Sequence, residues 1–594
     1  MPSALRQFLL HDTEEEEKLL PTHIVFTSAS GTTMSATNND QYWLLVGTAI
    51  AIVVATMWQQ RRKQNGSRPA SSLAQKILQG CTRRSSSYWL TNVRIPIANV
   101  PTYAATNNND NNNDDEKAEI VADPEGLVLC HVQVEHGRIQ HVTVVVTDDQ
   151  KPPRGPPKIT IIDAHGCLAL PCAIDVHTHL IKTQTVPRRR NATGSWNEAL
   201  ETDPVDAAAY WHNATDIQRR MDFAVQCAAY YGTKALRTHL DGCDHENPVI
   251  RNNVYRSFTA VRQKYQQQQH HRHPVQLQAV ANLYLPLWMD ESIAKRHIQN
   301  VQAVEGIILG AYVGHHSYYE ALDALEALFG YAQRLGQQQH NNDHCRSDVD
   351  LHLDESNDPD CCALEALLTA LPNARSRGYQ GRVVLGHVCS LSLQPPARQA
   401  QLIAQLASQH DVYVVMNPVT NVSLQDRRGS APPMNRPIDA HVPRTPQWRG
   451  LTAVQELRAA GVPTAAATDN VRDGWYAYGD YDAVWETWRM ALLLGHLDTA
   501  PTAGHWADLI TEVPAAAMGL LGPNNHDSSS RLLDVGQPAD LILFPTVRRV
   551  SELLARPPRE RIVLRRGQVQ DIDLPSFEVL DDLMVAPTKN EESW

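Results

Sequence analysis

The tripeptide His177-Thr178-His179 closes an apolar run, "LPCAIDVHTHL", before the chain turns polar. Residues i and i+2 of a strand project to the same side, so two imidazoles in this spacing can aim at one cation, which adjacent histidines cannot do. Isolated, such a pair carries little weight. Here further donors end other apolar runs: His352 in "VDLHLDE", His387 in "LGHVCS" and Asp469 in "AAATDN". Imidazoles and a carboxylate together make a mixed nitrogen and oxygen set suited to Zn²⁺ or Fe²⁺, with room left for water. Glu355 follows His352 by three residues, and the Asn, Asp and Pro of "HLDESNDP" predict that the chain leaves strand geometry there, bringing Glu355 to the same cavity. A carboxylic acid beside a metal-activated water is the expected proton shuttle.

The elements that must position these groups are readable as a rhythm. Between about residues 165 and 470, eight short apolar runs alternate with helical periodicity: "CLALPCAIDVHTHL", "TKALRTHLDG", "VQLQAVANLYLP", "VEGIILGAYVGHH", "DVDLHLDES", "RVVLGHVCS", "DVYVVMNPVT" and "VPTAAATDN". Eight such units predict an α/β fold, a (β/α)8 TIM-like barrel. Most runs finish in a polar residue: His177 and His179, His239 and Asp241, His315 and His316, His352 and Glu355, His387, Asn417, Asp469 and Asn470. All would lie at the C-terminal mouth, where active sites of this fold are built. The histidine-bearing inserts at 266–274 and 337–348 precede strands, so they belong to the opposite face and are read as solvated.

Outside the barrel, "YWLTNVRIPI" and "GLVLCHVQVEHGRIQHVTVVV" read as antiparallel strands with a turn at His136-Gly137, and "VGQPADLILFP" and "RIVLRRGQVQDI" as strands beyond it. Strands stranded on both sides of a barrel need partners, which predicts a small β-sandwich formed from the two sets. The expected organisation is a disordered segment at 1–40, a membrane-anchor segment at 41–60, a basic linker at 61–85, the first part of the sandwich at 86–165, the barrel at 166–525, the second part at 526–575 and a tail at 576–594. Residues 42–58, "YWLLVGTAIAIVVATMW", carry no charge and precede Arg61-Arg62-Lys63, which predicts a single span with the barrel on the cytoplasmic side. Without a true anchor there, the chain is expected to be cytoplasmic.

The chain has 594 residues, 42% of them hydrophobic and 20% charged, with a net charge of −12, which argues against nucleic acid as a partner. A homo-oligomer is compatible with the composition. Ten cysteines without a paired framework read as reduced, mostly buried thiols. No G-x-S-x-G occurs, and Cys389 near His387 reads as a core thiol, so nucleophilic serine or cysteine chemistry is set aside.

In "HTHLIKTQT", "RTHLD", "VDLHLDE", "LGHVCSLS", "NPVTNVSLQDRR" and "ATDNVRDGWYAYG", the chain from about 86 to 570 resembles the amidohydrolase superfamily, within it the cytosine deaminase group. The resemblance implies one divalent metal ion, Zn or Fe(II), held by His177, His179, His352 and Asp469, with Glu355 moving protons and His387 catalytic beside them. No lysine closes the fourth run for a second metal. The pattern departs at Ile181, where an acid is usual. It departs again on the third run, where Tyr284 or Asn282 stands for a ring-reading glutamine, and at Asn470, which replaces an aspartate; Trp475 keeps an aromatic wall. The implied activity is deamination of cytosine or a related pyrimidine, purine or triazine, releasing ammonia. Asp469 takes the water's proton, hydroxide attacks the ring carbon, Glu355 protonates ring and leaving amine, and His387 holds the oxyanion. Asn470 is expected to suit a ring presenting an acceptor, turning preference away from cytosine. Two alternatives are hydrolysis of a cyclic amide C–N bond on the same site and a membrane-tethered inactive scaffold.

Overall fold

A computed structural model describes residues 24–27, 33–36, 72–81, 87–101, 120–146, 159–267, 275–314, 316–337, 348–427, 445–521 and 531–584. The chain divides into two units, 1–70 and 71–594. In the first, Ile24–Thr27 and Thr33–Ala36 pair as an antiparallel hairpin. The expected anchor at 42–58 lies outside the described residues, as do His315 and most of both histidine-bearing inserts. No helix among the described residues is long and apolar enough to cross a membrane.

The larger unit is built on eight parallel strands: β1 (Ala173–Thr178), β2 (Thr233–Leu240), β3 (Gln276–Tyr284), β4 (Ile307–Tyr312), β5 (Val349–Leu353), β6 (Val383–His387), β7 (Val412–Met416) and β8 (Thr464–Ala466). Each pairs with the next in sequence order. The ring closes where Thr178 bridges Asp469 and the Asp469 amide donates to the His177 carbonyl at 2.9 Å. Strands β1, β5, β6 and β7 are buried at every position, as expected where helices cover the outside and side chains fill the inside. Amphipathic helices such as Tyr318–Gln337 and Ala363–Ser376 turn Leu325, Leu328, Leu367 and Leu371 onto the strands.

The structure redraws two readings of the sequence and adds a helix within each of two further segments. The run "CLALPCAIDVHTHL" is two strands, because Leu168–Pro171 leaves the barrel and pairs antiparallel with Leu541–Phe544. Both halves are wholly buried, so apolarity could not separate them. The strands on either side of the barrel do meet, but in one continuous hydrogen-bonded mixed sheet, ordered 568–569, 562–565, 541–544, 168–171, 88–96, 127–135 and 138–144. A bulge between Leu90 and Val93, with Asn92 at φ 54°, divides Tyr88–Pro96. Its first half pairs with Thr160–Asp163 and its second half meets Leu168. Within the expected linker, Ser72–Cys81 is a helix that buries Leu73, Ala74, Ile77 and Cys81. Within the expected tail, Phe577–Leu583 is a short helix held by Arg219 paired with Asp582 at 2.5 Å and by Phe577 against Phe223. Among the described residues every cysteine is a free thiol.

Candidate active site

Three ligand candidates sit at the C-terminal ends of β1 and β5, and the fourth just past β8. His177 and His179 share the inward side of β1, and His352 is the fourth residue of β5. His179 Nε2 lies 3.1 Å from His352 Nε2 and 3.2 Å from Asp469 Oδ1, and His177 Nε2 lies 3.6 Å from the same oxygen. All four are buried, and neither Asp469 oxygen nor His177 Nε2 has a hydrogen-bond partner of good geometry. Buried polar atoms are normally satisfied, so converging nitrogen and oxygen atoms left without donors fit a divalent cation at this point.

Other groupings of donors exist, with His387 or with His239 and Asp350 in place of two of these. Some of their atoms are engaged elsewhere, although His239 Nδ1 and Asp350 Oδ1 also lack a hydrogen bond. Asn421 Nδ2 reaches His387 Nδ1 at 3.0 Å, and Asp350 Oδ2 takes Arg237 Nη1 at 2.9 Å. Arg237 also bonds Gln278 and the Ala517 carbonyl, tying β2, β3 and β5 together beneath the histidines.

The electrostatics favour ligation. Burial, reinforced by neighbouring imidazoles, pushes His177, His239 and His352 well below the ordinary histidine value, leaving them neutral. His179 differs. Burial would lower it, but Asp241, 2.8 Å from Nδ1, outweighs burial and raises it to about 9, so a cation at Nε2 displaces a proton. Asp241 is the group that reading the sequence left without a role, although it stands one residue past β2 at the same i, i+2 parity from His239 that relates His177 to His179.

Several mouth residues adopt left-handed backbone: Asp354 (φ 48°), His387 (φ 72°), Val388 (φ 49°) and Asp469 (φ 62°). Non-glycine residues there are uncommon, and they collect where a site dictates the chain path. Asp354 makes the expected departure from strand geometry: its carboxylate caps the amides of Ala363 and Leu364, and Glu355 is turned into the cavity. Burial first, and Asp469 second, raise the Glu355 carboxyl well above the usual carboxylate range. Glu355 Oε1 lies 3.3 Å from His387 Nδ1. Burial lowers His387 to about 4, so its ring is neutral.

Above these groups is a cavity of about 570 Å³ that Tyr284, Asn282, Asn470 and Trp475 all line. Trp475 stands edge-on to Trp196, with ring centroids 4.9 Å apart. Tyr284 stacks on Tyr312 at 5.2 Å. Asn470 Nδ2 donates to Asp473 Oδ2 at 2.9 Å. Burial raises Asp473 only to about 6, so at neutral pH it accepts and the Asn470 amide nitrogen must face it. With that nitrogen engaged, the carbonyl oxygen is the Asn470 amide atom left for other partners. Lys182 Nζ, 3.2 Å from Asp203 and 3.7 Å from Asp241, completes the wall.

A parallel barrel whose mouth holds a His-x-His pair, a third histidine and an aspartate, with an acid beside them, defines the amidohydrolase class. Comparison with known proteins agrees. A family model described as amidohydrolase family matches residues 327–570. Pterin deaminase of Rhizobium rhizogenes (strain K84 / ATCC BAA-868) is 34% identical over 462 residues, 78% of this chain and 92% of that protein. The solved 5-methylcytosine deaminase from Klebsiella pneumoniae liganded with 5-fluorocytosine aligns with a TM-score of 0.59 at 21% identity, over 83% of this chain and 100% of the other. N-isopropylammelide isopropylaminohydrolase from Burkholderia multivorans ATCC 17616 aligns with a TM-score of 0.55 at 19% identity, over 81% and 97%. The chain belongs to the amidohydrolase family.

Proposed function

We propose that the protein hydrolytically deaminates an amino-substituted nitrogen heterocycle, with a pterin-like fused ring as the first substrate to test. The observation that carries this is the aromatic cavity of about 570 Å³ opening directly onto Glu355 and Asp469. A space of this size is in the range that encloses ligands larger than a single pyrimidine ring. The similarity to pterin deaminase supports the same choice.

His177, His179, His352 and Asp469 would hold the cation, which when bound lowers the pKa of a coordinated water and so supplies a nucleophile near neutral pH. Glu355 starts protonated and gives its proton to the ring nitrogen beside the amine-bearing carbon. Asp469 receives the proton of the attacking water. Glu355 then takes the proton of the hydroxyl left on the ring carbon and passes it to the departing nitrogen, and the proton held by Asp469 returns to Glu355, so that ring C–NH₂ and water become ring C=O and ammonia. With Asn421 Nδ2, 3.0 Å from His387 Nδ1, acting as donor, the proton of that neutral ring would rest on Nε2, where it can meet the charge developing on oxygen. Trp475 packs against the ring, and the Asn470 carbonyl accepts from a ring N–H.

The test is ammonia release from a panel of pterin, guanine, cytosine and aminotriazine by protein reconstituted with Zn²⁺ or Fe²⁺, against chelator-stripped protein. Absence of ammonia from every ring at full metal content would overturn the reading.

A separate proposal rests on sequence alone: residues 42–58 anchor the chain, with the barrel facing the cytoplasm. Recovery of the whole chain in the soluble fraction after lysis would remove it.

A further inference from the structure

The helix Trp196–Tyr210 begins at a capping Ser195, whose hydroxyl accepts from the Glu198 amide, and it walls one side of the cavity with Trp196, Leu200 and Asp203. Its position is fixed by contacts at both ends. Asn191 Nδ2 bridges the Ser195 and Gly474 carbonyls, and Trp211 Nε1 donates to Asp206. Gly474 leaves no room for a side chain, since a Cβ there would fall 2.0 Å from Thr202 Oγ1. Asp203 is therefore a fixed feature of the wall.

One oxygen of that carboxylate is spoken for. Trp475 Nε1 donates to Oδ2 at 2.9 Å, and Lys182 Nζ donates to the same oxygen at 3.2 Å. Among the described residues no donor reaches Oδ1, although Asp203 lines the cavity. Burial alone would lower Lys182, but Asp203 and Asp241 outweigh it, and the ammonium stays charged. Lys182 thus faces Asp203 and Asp241 together on this wall.

We infer that Asp203 is a specificity-determining residue: its Oδ1 selects heterocycles that present an N–H donor on the edge away from the departing amine. This rests on the deamination reading and deepens it. The Asp203 side chain is 22% exposed to the cavity, so a ring that covers it with only an acceptor or a methyl group takes Oδ1 from water without replacing the hydrogen bond, and sites built to hydrogen-bond a substrate group reject analogues lacking it. Helix 196–210 therefore adds a recognition element that is separate in sequence from every metal ligand.

The experiment compares wild type with Asp203→Ala and Asp203→Asn, all at verified metal content, on a substrate with that N–H and its N-methyl analogue. Wild type should favour the N–H form by about 10- to 100-fold in kcat/KM, the value of a hydrogen bond to a charged group. Asp203→Ala should collapse that ratio toward one, with the change carried mainly by KM. Asp203→Asn, whose carbonyl must stay on Trp475 Nε1 and Lys182 and whose amide nitrogen therefore faces the cavity, should lose the preference as well. A ratio unchanged in Asp203→Ala would overturn the inference, whereas a merely structural role would lower both substrates equally. The same pair of rings in deaminated form is also titrated for binding. If wild type releases no ammonia at all, the deamination reading fails, and the binding ratio still decides the role of Asp203.

Discussion

The Asp241 carboxylate lies 2.8 Å from His179 Nδ1, and this contact decides which ring nitrogen of His179 faces the site. Burial opposes ionisation of Asp241, but His179 and Lys182 overcome it and hold the carboxyl well below its usual range. An ionised carboxylate can only accept, so Nδ1 carries a proton and Nε2 turns toward His352 and Asp469.

Asp241→Ala should weaken Zn²⁺ binding by about 10- to 100-fold, the usual cost of removing the group that orients a ligating histidine. It should also change the proton balance. With His179 raised to about 9, loading the wild type at pH 7.5 releases a proton from that ring. In Asp241→Ala the ring is already neutral and that release disappears. Calorimetry in buffers of different ionisation enthalpy reads both effects, and equal proton release in the two proteins would refute the assignment.

Glu355→Gln preserves shape and should retain the metal while turnover falls by about 10²-fold or more, because an amide cannot shuttle a proton. Metal analysis alongside initial rates checks this. Near-normal rates would place the acid and base elsewhere.

Asn470→Asp should damage the site. The new carboxylate would stand where the Asn470 amide now donates to Asp473 at 2.9 Å, setting two carboxylates against each other. The variant should lose activity at neutral pH and recover part of it on mild acidification, when one proton can be shared. A clean gain of cytosine turnover would show that the amide is not held by Asp473.

Gly386 on β6 has no room for a methyl group: a Cβ would sit 2.7 Å from His177 Cε1 and 2.9 Å from its Nδ1. Gly386→Ala should cost about 1–3 kcal/mol, as overpacking of a filled core does, and lower metal content with it. Thermal melts of the metal-free and metal-loaded variant separate the two effects. Unchanged stability and metal content would mean that His177 moves aside freely.

Much of this was legible in the chain. The i, i+2 parity of His177 and His179, the polar endings of most of the eight apolar runs and the turn-forming residues after His352 are local signals, and local geometry preserved them. What escaped depended on register or on a distant partner. Asp241 stands at a strand end as visibly as His352 does, but only the pairing of β1 with β2 brings it to His179. Asn470 offers donor and acceptor alike until Asp473 fixes its orientation. Asp203 lies on a helix outside every apolar run, so no periodicity marks it as part of the cavity. The helix Ser72–Cys81 was an oversight of a different kind: Leu73, Ala74, Ile77 and Cys81 follow helical spacing, and the surrounding basic and serine-rich residues concealed it.

The seam between β1 and β8 is closed by the Asp469 amide on the His177 carbonyl, between two residues that would also share the cation. During synthesis the His177 and His179 pair emerges first, then His352, and the carboxylate that completes the set only near the end of the barrel. A growing chain can therefore hold an ion only loosely, with histidines alone. Secure capture would wait until the last strand docks, and the choice of metal would then fall to whatever the finished, folded protein meets.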